Sequence, residues 1–281
     1  MNTTFHRKRL PIGRGLLHLV LILWGLASVM PMVWMFSASL QTNQEIYSGI
    51  HLVPQSFNIQ NYIQAWNQAN FSVYFGNTVF YTVVVVLGVV IISSMASYSF
   101  ARLSFPGKNF FYIAILIFLF IPIPGAFIPL YVILVKLDII NTRIGYILPL
   151  IQSSLAFSIF ILRAFFEDLP REIEESARMD GASIFRIFWD IAMPLARPAI
   201  ATIIIFTALN VWNEFTLALI VFSDQDLMTL QVGINTFQGT FFSQYALMMA
   251  ALSITTIPAV IAYVFFQKSI IKGMMAGALK G

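Results

Sequence analysis

The chain has 281 residues, of which 59% are hydrophobic and only 10% are charged, whereas a soluble domain carries about 25% charged residues. With a mean hydropathy of +0.82, this composition excludes a soluble globular protein, a disordered chain and a coiled coil, and it predicts several membrane spans. There is no cysteine, which excludes disulfides, thiol catalysis and Cys-containing metal sites.

Six apolar stretches are long enough to cross a bilayer, which takes about 20 residues. They are residues 16–36, 77–98, 109–134, 144–162, 199–222 and 246–266. The first resembles a signal peptide, because a basic N-terminus precedes it and small residues follow. Its 21 residues exceed the roughly 7–15 of a signal-peptide core, so we expect an uncleaved anchor. The sequence predicts one all-α transmembrane domain over residues 1–281.

If the N-terminus lies in the cytoplasm, as the charge distribution below predicts, two connections on the outer side of the membrane are long. Residues 42–73 are polar but carry Glu45 as their only charge, and residues 223–245 contain Asp224 and Asp226. Loops of this length are either tolerated surface loops or contacts with an external partner or a gate.

The third span contains Pro122, Pro124, Gly125 and Pro129. Proline removes a backbone donor and kinks a helix, and in a membrane such breaks persist where protein or a cavity satisfies the freed groups. The kink either serves packing alone or forms part of a pathway, since discontinuous spans are frequent in transporters.

The connection 163–198 is charged and helical in character, unlike the other inner loops. Asp168 is a plausible N-cap, Pro170 suits a first helical turn, and Gly181 interrupts the pattern before an aromatic stretch at 183–191. This predicts two short helices joined by a tight bend. Five basic and seven acidic residues favour a protein partner over the alternative, an amphipathic hairpin lying on lipid.

The fifth span carries a polar stripe of Thr207, Asn210, Asn213 and Glu214. Spacings of three and four residues place these side chains on one face of a helix. Glu214 would lie about 22 Å along that helix from Ala199. A carboxylate deep in a span costs about 2.5–3.5 kcal/mol on insertion scales. We interpret the stripe as pathway or gate residues, the alternative being a structural hydrogen bond between helices.

Positive residues fall mainly on one side of the six-span topology. Fourteen of the 16 Lys and Arg residues lie in the N-terminal tail, in the connections between the second and third and between the fourth and fifth spans, or in the C-terminal tail. Only Lys136 and Arg143 lie on the other side of the membrane. The positive-inside rule then places both termini in the cytoplasm. The same distribution explains the basic pI of 9.4 without nucleic acid.

The inner connection also carries an identifiable motif. Glu175-Ser176-Ala177, three residues, Gly181, nine residues and then Ile191-Ala192-Met193-Pro194 resemble the EAA loop of bacterial ABC importer permeases, with Ser176 and Met193 as departures from that pattern. Further stretches resemble the carbohydrate branch, specifically its maltose-type second permease. They are 75–78, 97–107, Trp212-Asn213-Glu214-Phe215 and the tail 272–281, in which Met274-Met275 departs from the family ending.

The resemblance implies a coupling helix that docks on a separate ATPase subunit. The residues assigned to this ATPase-coupling loop are Glu174, Glu175, Ser176, Ala177, Asp180, Gly181, Ile191 and Pro194. It also implies a second permease in a heterodimer, two ATPase copies carrying ATP and Mg, and an extracytoplasmic solute-binding protein probed by the loop 223–245. The implied location is the bacterial cytoplasmic membrane, with lipid as surroundings.

The chain itself is expected to be neither an enzyme nor a holder of a cofactor or metal. It has no Gly-x4-Gly-Lys-Ser/Thr phosphate loop, and its three histidines lack metal-ligand spacing. The implied function is a permease subunit for a di- or oligosaccharide or related sugar. The alternatives are an ABC permease for a non-sugar solute and a self-sufficient secondary transporter. A secondary transporter would need ion-coupling residues within its spans, and Glu214 is the only acidic candidate for that role in the predicted spans.

Overall fold

The computed structural model describes residues 11–68, 70–120, 125–237 and 244–278. Within those ranges all regular secondary structure is helical, which confirms the all-α prediction for that part of the chain. The helices are α1 Pro11–Ala38, α2 Asn43–Ser48, α3 Gln60–Gln68, α4 Phe71–Arg102, α5 Lys108–Phe120, α6 Phe127–Lys136, α7 Arg143–Asp168, α8 Arg171–Met179, α9 Ile184–Ile187, α10 Met193–Leu195, α11 Arg197–Trp212, α12 Thr216–Val221, α13 Leu230–Asn235 and α14 Tyr245–Ala278. A π turn, Phe188–Ala192, links α9 to α10, and a 3-10 turn, Gln225–Leu227, precedes α13.

Among the described residues, four helices are long and apolar enough to cross a membrane as single helices. They are α1, α4, α7 and α14, and they contain the predicted first, second, fourth and sixth spans. Several apolar helices of this kind make the chain a multi-pass membrane protein.

The third predicted span is divided between α5 and α6, with 13 and 10 residues. Each is shorter than the about 20 residues needed to cross a bilayer alone. Pro122 and Pro124 lie outside the described residues, while Gly125 adopts a left-handed φ of +73° just before α6.

The fifth predicted span is not one helix, so that part of the prediction is wrong. α11 ends at Trp212 and α12 begins at Thr216. The segment Ile184–Leu195 meets α11 at an angle of 75°. Hydropathy does not reveal the break because the residues on both sides of it are equally apolar.

The inner connection has the predicted pair of short helices, α8 and the run from α9 to α10. Asp168 is not an N-cap, however, because α7 continues to that residue. Leu169 is extended, with ψ of 136°, as expected for a residue whose α conformation is disfavoured by the following proline. Pro170 therefore separates α7 from α8.

The chain forms two compact units. The first comprises residues 1–68 and 237–254. In it, the Asn61 side-chain amide donates to the carbonyls of Ser39 and Gln41, both at 2.8 Å. Asn43 Oδ1 accepts from the Ala246 backbone at 2.9 Å, which ties the start of α14 to the segment after α1.

The second unit comprises residues 69–236 and 255–281, and α4 and α7 form its centre. Their apolar contact includes Val85, Val89 and Leu162, all fully buried. A Cβ placed on Gly88 would lie 2.7 Å from Ile151 Cδ1. The two helices therefore approach closely at a small residue, as is common where membrane helices pack.

Candidate functional site

The end of α8 forms the exposed tip of the inner connection. Glu175, Ser176, Asp180 and Gly181 are exposed there, and Ala177 is partly buried. Met179, between them, is 89% exposed. Most residues of the EAA-like motif around this bend are therefore available to a partner.

Gly181 makes the bend after α8 because it adopts a φ of +81°, which L side chains rarely accept. Its N–H donates to the Arg178 carbonyl at 3.0 Å, and the next amide, of Ala182, donates to the Ala177 carbonyl at 2.9 Å. These bonds close the helix end in the manner of a glycine C-cap. A Cβ at Gly181 would meet no atom within 4 Å, so backbone conformation, and not space, requires glycine here.

Glu174 belongs to the predicted coupling loop, but it faces inward. The residue is 6% exposed, and its Oε1 lies 3.0 Å from Arg102 Nε at the end of α4. The Tyr98 hydroxyl donates to Glu174 Oε2 at 3.4 Å. Arg178, half exposed on α8, lies 3.9 Å from the same oxygen.

The second half of the motif packs the loop against the hydrophobic core. Ile191 and Pro194 are partly buried, and they lie in the π turn and in α10. The neighbouring Phe188 and Ala192 are buried in the hydrophobic core of the second unit. These residues hold the loop against the membrane helices and present little surface of their own.

Two of the predicted pathway residues, Thr207 and Asn210, line one groove between α7 and α11. Ser153, Ser154, Phe157, Phe206 and Leu209 complete its lining, and its volume is about 470 Å³. Asn210 is exposed, whereas Thr207 is buried at 4%. The groove combines hydroxyl and amide groups with two aromatic rings, which stack edge to face at 5.6 Å.

Asn213 and Glu214 lie elsewhere, so the predicted stripe does not follow one helix face. Asn213 follows the end of α11 and donates its side-chain amide to the Leu209 carbonyl at 2.8 Å. Both carboxylate oxygens of Glu214 accept backbone N–H groups at the start of α12, from Leu217 and Ala218. Glu214 therefore acts as a helix cap at the break.

The segment 224–230, predicted to lie on the outer side, is held on the N-terminal part of α4 by three side chains. The Asn77 amide donates to the carbonyls of Asp226 and Met228 at 2.7 and 3.1 Å. The Tyr81 hydroxyl donates to the Leu227 carbonyl at 2.9 Å, and Thr78 Oγ1 accepts from the Leu230 amide at 2.9 Å. This accounts for the Asn-Thr pair at the start of the second span.

Several residues that contribute to these contacts were not among the functional residues predicted from the sequence. Ser153 and Ser154 form a polar pair inside an apolar span, a signal that would have marked the groove. Tyr98 and Arg102 fall within the family-like stretch 97–107, but nothing in the local sequence shows that they contact Glu174, more than 70 residues later.

A family profile matches residues 88–275, which include α7, the inner connection and α11. Its description is "Binding-protein-dependent transport system inner membrane component". The chain belongs to this family. The resemblance noted in the EAA-like motif is thereby confirmed, and this permease places the motif on an exposed helix end.

Curated relatives match the permease over nearly its whole length. A putative ABC transporter permease of Caldicellulosiruptor is 39% identical over 93% of this chain and 95% of its own. The diacetylchitobiose uptake system permease NgcG of Streptomyces coelicolor is 33% identical over 94% and 88%. The arabinooligosaccharide permease AraQ of Halalkalibacterium halodurans is 33% identical over 98% and 99%.

A solved structure shares the fold of the permease. It belongs to a bacterial ABC transporter involved in the import of the acidic polysaccharide alginate. The TM-score is 0.83 at 25% sequence identity, with 95% of this chain and 99% of the other covered.

Proposed function

We propose that this permease is one membrane subunit of an ATP-driven importer for an oligosaccharide or a related sugar. The exposed tip of α8 carries the proposal, because a rigid, capped helix end at the inner surface suits docking on an ATPase. The names of the relatives, which transport diacetylchitobiose and arabinooligosaccharides, support a sugar as the solute.

The proposed assembly contains a second permease, two copies of an ATPase subunit and an extracytoplasmic binding protein. ATP and Mg bind to the ATPase subunits, and this chain supplies the docking surface around Glu175 and Gly181. Acidic groups on the exposed tip would pair with basic residues of the ATPase. ATP-driven closure of the ATPases would then move the membrane helices as rigid bodies between inward-open and outward-open states.

The groove between α7 and α11 is proposed as part of the sugar pathway. Hydroxyl and amide groups at Ser153, Thr207 and Asn210 offer hydrogen bonds to sugar hydroxyls, and Phe157 and Phe206 offer apolar faces. Both residue types together are typical of a small-molecule site. The outer segment 224–230 is proposed to contact the binding protein.

We also propose six crossings of the bacterial cytoplasmic membrane with both termini inside. In this topology α5 and α6 together form the third crossing, and α11 and α12 together form the fifth. The distribution of Lys and Arg supports the orientation.

The experiment that tests the function is co-purification of the permease with its binding protein and ATPase, followed by a panel of sugars. We expect one sugar class to stimulate ATP hydrolysis in liposomes when delivered by the binding protein. Stimulation by a non-sugar solute instead would favour the alternative ABC permease. Solute uptake by the permease alone, without ATPase, would contradict the proposal and support a secondary transporter.

A further inference from the structure

The inner end of α4 is joined to α8 by a buried ion pair. Arg102 is the last residue of α4 and Glu174 is the fourth residue of α8. The side chains are 4% and 9% exposed, with Nε and Oε1 3.0 Å apart. An Arg102 guanidinium nitrogen also donates to the Leu169 carbonyl, so the same side chain holds the connection that precedes α8.

Tyr98, one turn earlier on α4, extends this joint to two further elements. Besides its hydroxyl contact with Glu174, its ring packs edge to face on Phe166 of α7 at 5.6 Å. It also contacts Phe188 in the π turn, with ring centroids 5.2 Å apart. The last turn of α4 therefore contacts α7, α8 and the π turn between α9 and α10.

One carboxylate of α8 is buried while its neighbours are not. Glu172 and Glu175 are exposed, and only Glu174 gives up water to meet Arg102. A buried ion pair contributes little net stability, because the loss of hydration offsets the attraction, but removing or separating one partner leaves the other charge buried and uncompensated, which is costly. The pair is therefore better suited to fix the position of α8 than to stabilise the fold.

We propose that Arg102 and Glu174 are positioning residues that make α8 and α4 move as one rigid body. On the proposed function, on which this inference rests, the ATPase displaces the exposed tip of α8. The ion pair would pass that displacement to α4. This helix has 32 residues, and at 1.5 Å per residue it extends about 48 Å, beyond the roughly 30 Å of a hydrocarbon core.

The first test compares Glu174→Gln, Arg102→Gln and the double variant with Glu172→Gln, an exposed acid on the same helix. The assembled transporter is reconstituted in liposomes, and sugar uptake per ATP hydrolysed is measured. We expect each single variant to lower this ratio at least about fivefold, the lower end of typical coupling between sites. The double variant should be no worse than the worse single variant, and the control should match the wild type.

A wild-type ratio in both single variants, at equal amounts of assembled complex, would overturn the proposal. Failure of the proposed function gives a different result, since the wild-type chain itself would then neither bind the ATPase nor support its hydrolysis. Glu174→Asp and Arg102→Lys retain the charges and are expected to keep more of the ratio than the glutamine variants.

A second measurement remains decisive if the glutamine variants do not assemble. The chain has no cysteine, so Val79→Cys on α4 and Glu172→Cys on α8 can be labelled with a pair of nitroxides in the purified permease before the partner subunits are added. In the otherwise wild-type complex, we expect one narrow distance distribution, unchanged between the nucleotide-free and vanadate-trapped states. A shift of the distance between these states would show that α8 moves relative to α4 and would refute the rigid joint.

Discussion

Tyr146 and Glu214 are linked by a hydrogen bond across the break in the fifth span, with the hydroxyl 3.1 Å from Glu214 Oε2. Tyr146 is fully buried on α7. The same carboxylate caps α12, so one side chain connects α7 to the start of a separate short helix. This gives Glu214 a defined structural role, whereas its predicted role in the pathway remains a prediction.

Glu214→Ala is expected to destabilise the purified complex by about 0.5–2 kcal/mol, the usual cost of losing a helix cap. Transport and sugar-stimulated ATP hydrolysis should also fall, because α12 loses its fixed start. Thermal unfolding and uptake assays measure the two effects. Tyr146→Phe, which keeps the ring and the cap, is the control and should show the smaller loss. Normal transport kinetics in Glu214→Ala would leave Glu214 with a structural role alone.

Gly181→Asp and Glu175→Lys are expected to insert into the membrane normally yet lose the ATPase or uncouple it. The first substitution puts a charged side chain at the exposed bend after α8, and the second reverses a charge on the exposed tip. Gly181→Asn should be milder than Gly181→Ala, because asparagine tolerates the left-handed region better. Pull-down of the ATPase and ATP-driven uptake measure the outcome. Normal uptake in both Gly181→Asp and Glu175→Lys would refute the assignment of the coupling loop.

Asn210→Ala is expected to raise the sugar concentration needed for half-maximal uptake, because it removes an exposed amide from the groove. Loss of one neutral hydrogen bond corresponds to about 0.5–1.5 kcal/mol, or roughly two- to tenfold. Ser99→Ala, which changes an exposed hydroxyl bonded to its own helix, serves as the control. Unchanged uptake in Asn210→Ala and Phe157→Ala together would remove the groove from the pathway.

Single cysteines test the orientation directly, since the chain has no native cysteine and label on the purified permease must come from the introduced one. Gln55→Cys, in the first outer loop, should react with an impermeant maleimide applied to intact cells. Met179→Cys, on the tip of α8, should react only after the membrane is opened. Reaction of Met179→Cys in intact cells would reverse the proposed topology.

Apolar length alone located the four spans that are single helices, because lipid demands about 20 apolar residues in a row. Motif spacing likewise located the bend at Gly181. The break before Glu214 was missed because a carboxylate that caps a new helix has the same sequence spacing as one on a continuous stripe. The burial of Glu174 could not be predicted for a related reason: Glu172, Glu174 and Glu175 are equivalent in local sequence, and the partner of the buried one, Arg102, is distant in the chain.

The hydrogen bonds between α4 and residues 226–230 determine which positions of this segment can vary among related permeases. The hydrogen bonds that Asn77, Thr78 and Tyr81 make to residues 226, 227, 228 and 230 all go to main-chain groups. Every residue type offers the same carbonyl, and every type except proline offers the same amide. The exposed side chains of Gln225 and Asp226 can therefore change to suit another binding protein in the proposed assembly, while the buried Thr229 and Leu230 and the main-chain bonds keep the path of the segment over the helix.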